Sequence, residues 1–197
     1  MPRPESIGCP PVYSAVVVGC SAGGVTAAGQ LLAQLSPQLK VPVIIVCHNG
    51  SEDIELLCEV LALVSRLPVR EASERHRPEA GIAYLAPAGY HLLIERDGHF
   101  ALSVDERVAY SRPSIDVLFL AAAECYRDVL IGVVLTGANE DGAEGLLAIR
   151  SHGGLGIVQS PETAEVGTMP AAALRIAGAD HTAPLDGIAT LINHYCS

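Results

Sequence analysis

Hydrophobic and polar positions are arranged in blocks along this chain: short, almost wholly apolar runs stop abruptly at clusters of Gly, Asn, Asp, Ser or His, and amphipathic stretches follow them. The first run, residues 16–18, passes through Gly19-Cys20-Ser21-Ala22-Gly23-Gly24 into a helix-like stretch ending near residue 35. A second, 41–47, is rich in β-branched residues and stops at His48-Asn49-Gly50. A third, 129–135, stops at Thr136-Gly137-Ala138-Asn139-Glu140-Asp141-Gly142. Apolar runs of this length, without alternation, mark strands buried on both faces. Between them, 53–63 places Ile54, Leu57, Cys58 and Leu61 on one helical face and Glu52, Glu55 and Glu59 largely off it, which predicts a crossover helix. The middle of the chain differs. Short runs at 69–72 and 82–85 precede 91–95 and 100–104, and the last two are joined by Arg96-Asp97-Gly98-His99; Asp-Gly between alternating runs predicts an antiparallel hairpin. Ser114 is placed to N-cap a helix over 115–125. Beyond Gly142 the pattern gives a helix to about residue 150, a short strand around Ile157, and helices near 171–177 and 184–195. The predicted fold is α/β: a doubly wound, mostly parallel sheet with helices on both faces and an antiparallel β-hairpin. Residues 1–11 carry four prolines and read as an irregular leader, while 12–197 shows no repeat or linker and reads as a single domain.

Composition narrows the function. The chain of 197 residues is 50% hydrophobic but only 4% aromatic, with no Trp and 19 Gly, so its core is aliphatic. Base stacking is thereby disfavoured. A formal charge of −10 repels phosphate backbones and anionic lipid alike, excluding nucleic acid and membrane surfaces as partners. The six cysteines show no Cys-x-x-Cys spacing and several lie inside apolar runs, which reads as reduced, mostly buried thiols. No signal-peptide core and no apolar stretch of membrane-spanning length is present, so the expected location is the cytoplasm, without membrane insertion.

In an open parallel sheet, sites form outside the carboxyl ends of the strands. The polar residues just past the three apolar runs include Ser21, His48 and Asp141. A hydroxyl is a weak nucleophile, an imidazole removes its proton, and a carboxylate fixes the imidazole's tautomer and stabilises its charged form. Gly19-x-Ser21-x-Gly23-Gly24 between a strand and a helix is the pattern of a nucleophile elbow. The backbone N–H near Ala22, with a second donor from the loop around Ala138, is positioned to receive an oxyanion. Each residue also has a plainer role open to it: Ser21 or Asp141 as helix caps, His48 as a strand-end residue satisfied by backbone. The other histidines lie in loops, helix ends or the hairpin. The glycines lack the Lys-Ser/Thr of a P-loop and the first Gly-x-Gly of a dinucleotide fingerprint, and the order Ser, His, Asp departs from that of an α/β-hydrolase. Cys20 as nucleophile is disfavoured, because neighbours in a strand point to opposite faces. The chemistry needs neither metal nor cofactor.

The residues resemble the catalytic domain of the chemotaxis receptor methylesterases, CheB type, over 16–192. The resemblance rests on Val-Val-Gly-Cys-Ser-Ala-Gly-Gly at 17–24, the strand ending at His48, Tyr-Leu-Ala-Pro-Ala-Gly-Tyr-His-Leu at 84–92, Ser-Arg-Pro-Ser-Ile-Asp-Val-Leu-Phe at 111–119, Gly-Val-Val-Leu-Thr-Gly at 132–137, Asp-Gly-Ala at 141–143, and Met169-Pro170. It implies hydrolysis of glutamate methyl esters on the cytoplasmic helices of methylated chemoreceptors, sometimes glutamine deamidation, with Ser21, His48 and Asp141 as the triad. Arg112 becomes a substrate-binding candidate, with local packing on the hairpin as its plain alternative. The pattern departs from the better-known members at Asn49-Gly50, at Ser111, where a histidine often stands, and at Ala138-Asn139. The chain begins too near its first strand to hold the N-terminal receiver of two-domain members, so regulation is expected from a separate receiver or other partner. The alternative is a receptor-binding protein of reduced catalytic power.

Overall fold

The apolar run leading to Ser21 becomes the central strand of the molecule. A computed structural model describes residues 13–48 and 53–197; the expected leader, Asn49-Gly50 and Glu52 lie outside them. In chain order its elements are β1 (Ala15–Cys20), α1 (Gly24–Leu32), β2 (Val43–Cys47), α2 (Ile54–Ala62), β3 (Val69–Glu71), β4 (Ala83–Leu85), β5 (His91–Ile94), β6 (Phe100–Ser103), α3 (Ile115–Tyr126), β7 (Leu130–Val134), α4 (Ala143–Ser151), β8 (Leu155–Gln159), α5 (Thr168–Ile176), β9 (His181–Ala183) and α6 (Leu185–Cys196). Seven strands form one sheet in the order β3-β4-β2-β1-β7-β8-β9, and every neighbouring pair is parallel. The strand order turns outward in both directions from β1, so the first strand lies between β2 and β7. Crevices at the strand ends form at such a reversal.

Strand alternation divides the core in two. Val16, Val18 and Cys20 pack with Leu31, Leu32, Leu57, Leu61, Ile188 and Ile192 from α1, α2 and α6. Ala15 and Val17 pack on the other face with Leu118 and Phe119 of α3, Leu146 and Ile149 of α4, Ala173 of α5, and Leu92 and Phe100 of the hairpin. Both faces of the sheet are therefore covered, as the unbroken apolar runs require.

The hairpin pairs His91 with Ser103 and Ile94 with Phe100. Its loop closes with Glu95 N–H donating to His99 O at 2.8 Å, and Gly98, at φ +85°, supplies the left-handed residue that such a loop needs. The runs at 69–72 and 82–85 do not join the hairpin: as β3 and β4 they extend the parallel sheet at its edge. One strand, β9, has no counterpart in the apolar pattern. It is a short polar edge strand whose strand partner is β8, and such a strand carries little periodic signal. In α2, Leu57 and Leu61 are buried as the helical spacing predicts, but Leu56 and Val60 on other faces, and Leu63 just past its end, are exposed.

Candidate active site

Because Cys20 and Cys47 are register partners on adjacent parallel strands, the residues after them, Ser21 and His48, emerge side by side. Backbone bonds pin both: His48 N–H donates to Cys20 O at 2.9 Å, and Ser21 N–H donates to Thr136 O, past the end of β7, at 2.9 Å. The turn after Ser21 is tight. Gly23 sits at φ +73°, where a Cβ would also fall 2.6 Å from Oε2 of Glu165. Gly24 N–H donates to Ser21 O at 2.6 Å as α1 begins. The Ser21 hydroxyl thus stands at the N-terminal end of a helix, where peptide dipoles favour negative charge.

Asp141 arrives from beyond β7 and is wholly buried, whereas 12% of the His48 side chain reaches solvent. Its Oδ2 lies 3.0 Å from His48 Nε2 and accepts a bond from Ile115 N–H at 2.7 Å. Its Oδ1 accepts from Ser114 Oγ and from Asp116 N–H, both at 2.9 Å. The approach to the imidazole is close but bent, so the ring nitrogen gains the acid's charge more than a well-aligned hydrogen bond. Burial pushes the Asp141 carboxyl upward, but its donors, His48 first and then the Asp116 and Ile115 amides, outweigh burial and hold the pKa below its ordinary value. A buried, ionised acid therefore faces the imidazole.

Asp141 does not cap the helix that follows it; Gly142, at φ +97°, occupies that N-cap position. Instead its carboxylate sits at the N-terminus of α3. Asp116, in the first turn of α3, performs the converse service: its Oδ1 accepts from Gly142 N–H at 2.9 Å and Gly145 N–H at 2.7 Å at the start of α4. Two acids thus satisfy each other's helices. Ser114 caps α3 as its position predicts, accepting from Val117 N–H at 3.4 Å. His91 is buried under the same loop, with Nδ1 accepting from Ser114 N–H at 3.2 Å and Nε2 3.0 Å from Glu106 O. It holds structure there. The α3 terminus lies tight against β1, since a Cβ on Gly19 would come within 2.3 Å of the Ile115 side chain.

With Nε2 turned to Asp141, the nitrogen left to act as a base is Nδ1. The hydroxyl facing it is that of Ser111, at 3.4 Å. Among the described residues, no hydrogen bond joins Ser21 Oγ to the ring. Ser111 was visible in the chain only as a departure from the family pattern; its partnership with His48 crosses 63 positions of sequence. Thr136 is a second residue whose service the sequence hides. Its Oγ1 donates to Ala22 O at 2.9 Å and accepts from Val166 N–H at 2.9 Å, tying the serine turn to the loop before α5.

The proposed oxyanion donors flank this turn. Ala22 N–H has no internal acceptor among the described residues, and Ala138 is exposed in the loop after β7; Gly137 N–H between them is already spent on Val166 O at 3.0 Å. Arg112 is committed locally: Nη1 donates to Val104 O at 2.7 Å and Asp105 O at 3.0 Å, and its Nε is buried without a partner. The guanidinium clasps the chain leaving the hairpin. Cys20 is fully buried in the core beneath the turn, and so is not presented as a nucleophile. Among the described residues, no group of three or more His, Cys, Asp and Glu could hold a metal ion, and no helix is long and apolar enough to cross a membrane.

Comparison with known proteins agrees with this architecture. The family model for the CheB methylesterase matches residues 16–192. A Leptospira interrogans protein, provisionally named protein-glutamate methylesterase/protein-glutamine glutaminase, is 46% identical over 179 residues, which are 91% of this chain and 93% of that protein. A Carboxydothermus hydrogenoformans protein-glutamate methylesterase/protein-glutamine glutaminase is 38% identical over 88% of this chain, but the match spans only 53% of that relative. In three dimensions the chain is similar to the crystal structure of the Thermotoga maritima CheB methylesterase catalytic domain, with a TM-score of 0.88 at 28% identity, covering 93% of this chain and 99% of that one.

Proposed function

The chain belongs to the CheB methylesterase family, and from that premise we propose that it hydrolyses glutamate γ-methyl esters on the cytoplasmic helices of methylated chemoreceptors. Ser21 Oγ attacks the γ-carbonyl as His48 Nδ1 takes its proton. The Asp141 carboxylate beside Nε2 holds the tautomer and offsets the imidazolium charge. Compared with the serine-protease template, the ring would be used in the opposite sense, with Nε2 to the acid and Nδ1, which Ser111 Oγ faces at 3.4 Å, to the Ser21 hydroxyl. The Ala22 and Ala138 amides would receive the oxyanion. The imidazolium returns its proton to the departing methoxy oxygen and methanol leaves. Water, deprotonated by Nδ1, then attacks the acyl-serine, freeing glutamate and restoring Ser21. With a glutamine side chain the same steps release ammonia.

The observation that carries this reading is the juxtaposition of His48 with buried Asp141 at 3.0 Å, at the end of the strand paired with the one that bears Ser21. The reaction would take place in the cytoplasm, where the receptor helices lie, and its control would fall to a separate receiver or other partner. Arg112 is a substrate contact only through what its clasp leaves free, so Arg112→Ala is a test of KM. Methanol release from methylated receptor decides the main reading: wild type should turn over, and Ser21→Ala should lose about 10⁴-fold or more in kcat. Equal rates would sink it. A second reading, in which Ser111 is the nucleophile, is favoured by its place on Nδ1 but lacks a helix-end anion site behind it; Ser111→Ala separates the two. Receptor binding with no turnover in either wild type or Ser21→Ala would instead favour the non-catalytic binding protein.

A further inference from the structure

Two thiols that the mechanism does not use lie directly beneath it. Cys20 precedes Ser21 and Cys47 precedes His48; they are Cα partners across β1 and β2, and both face the core shared with α1. Neighbouring strands run about 4.8 Å apart, inside the roughly 4.4–6.8 Å between Cα atoms that a disulfide spans. Both sulfurs press on the same residue: a Cβ on Gly24, where α1 begins, would lie 2.9 Å from Cys20 Sγ and 3.2 Å from Cys47 Sγ. Both are free thiols here. They are not equivalent. Cys20 is fully enclosed, while Cys47, at the strand end, keeps 9% of its surface open. The proximity of the two thiols lowers the Cys47 pKa against the effect of burial, and with burial it raises that of Cys20. The Cys20 thiol donates to Val46 O at 3.8 Å.

We propose that Cys20 and Cys47 form a reversible oxidation site whose disulfide, made by a peroxide, disables the hydrolytic site above it. The regulatory half rests on the esterase reading given above. The Cys47 thiolate attacks the peroxide O–O bond, forming a sulfenic acid and releasing the other oxygen as water or alcohol. The Cys20 thiol then attacks the Cys47 sulfur and expels water as the S–S bond forms. Two thiols give up two electrons and the peroxide is reduced. Joining the sulfurs draws them away from their packing against Gly24 and ties together the residues behind Ser21 and His48. The start of α1, which follows the Ala22 amide proposed to serve the oxyanion, loses its support.

The test uses the reduced, purified full chain and a few equivalents of hydrogen peroxide. Mass spectrometry of unreduced peptides should find a Cys20–Cys47 linkage, and methanol release from methylated receptor should fall at least tenfold and return with dithiothreitol. In Cys20→Ala and Cys47→Ala the linked peptide and the dithiothreitol-reversible part of the inhibition should both disappear. A wild-type chain that oxidises at Cys9, Cys58, Cys125 or Cys196 without the Cys20–Cys47 linkage would overturn the proposal, whether or not the variants fold. So would linked protein that releases methanol at the reduced rate. If reduced protein releases no methanol at all, the esterase reading falls, while the linked peptide, read by mass alone, still decides whether the thiol pair is an oxidation site.

Discussion

At His48 a single ring is shared by three elements, and each neighbour makes its own demand. Asp141 lies at Nε2, and Ser111 Oγ faces Nδ1, the nitrogen that in the proposed mechanism takes the proton of Ser21. A hydroxyl at 3.4 Å is weakly held, and a hydrogen bond of this kind is worth about 1 kcal/mol at most. Ser111→Ala should therefore raise kcat, by up to about fivefold, in the methanol assay; a loss as deep as that of Ser21→Ala would instead move the nucleophile to Ser111. Asp141→Asn is expected to fail twice. An amide can keep its oxygen toward Ser114 Oγ and Asp116 N–H, but its NH₂ then meets two donors, Ile115 N–H and the imidazole. A kcat loss of about 10⁴ should follow from the lost tautomer control. A stability loss of about 1–3 kcal/mol should follow from the unsatisfied amide, read from urea unfolding. Full activity in this variant would remove Asp141 from the mechanism.

Among elements, the pairing of α3 with α4 organises the site. Asp141 serves the N-terminus of α3 and Asp116 that of α4, so neither helix start is satisfied without the other. Burial pushes the Asp116 carboxyl up to about 6, with the Asp141 charge adding to the rise against the amides it accepts from. A carboxyl raised in this way binds its proton more tightly in the folded state. Its contribution to stability is therefore greatest below its ordinary pKa and declines as pH rises from about 4 to about 6. Asp141, held low, acts in the opposite sense: its contribution is present above about 4 and is lost as pH falls through its folded value. Asp116→Asn keeps an acceptor for Gly142 and Gly145 and removes the charge. Its urea midpoint should consequently decline less than that of wild type between pH 4 and 7. Identical pH slopes for the two proteins would show that the Asp116 charge is not what the fold resists.

For the molecule as a whole, the sheet is the common wall of two cores, one under α1, α2 and α6 and the other under α3, α4, α5 and the hairpin. Because consecutive residues of β1 belong to different cores, neither can melt alone. Leu31→Ala on one face and Phe119→Ala on the other should each lower stability by about 2–5 kcal/mol within a single shared unfolding transition. Two separable transitions would contradict the expectation of a single domain. The parallel sheet, the hairpin and the Ser114 cap were legible in the chain because they rest on local pattern: unbroken apolar runs, an Asp-Gly turn, a capping hydroxyl. So was the placing of Ser21, His48 and Asp141 past the ends of β1, β2 and β7, since strand ends can be read from where apolar runs stop. The edge strand β9 was not legible, being short, polar and paired on one side only, with β8. Nor was the assignment of Asp141 to α3 rather than to its own helix, or the placing of Ser111 on His48, whereas the local hold of Arg112 on the chain leaving the hairpin was one of the two roles open to it. Sequence by itself determined which residues stand at the ends of strands, because burial imposes a pattern on neighbours along the chain. Only the tertiary structure decided which partners those residues meet, because hydrogen bonds and charges act through space between segments whose separation in sequence leaves no periodic trace.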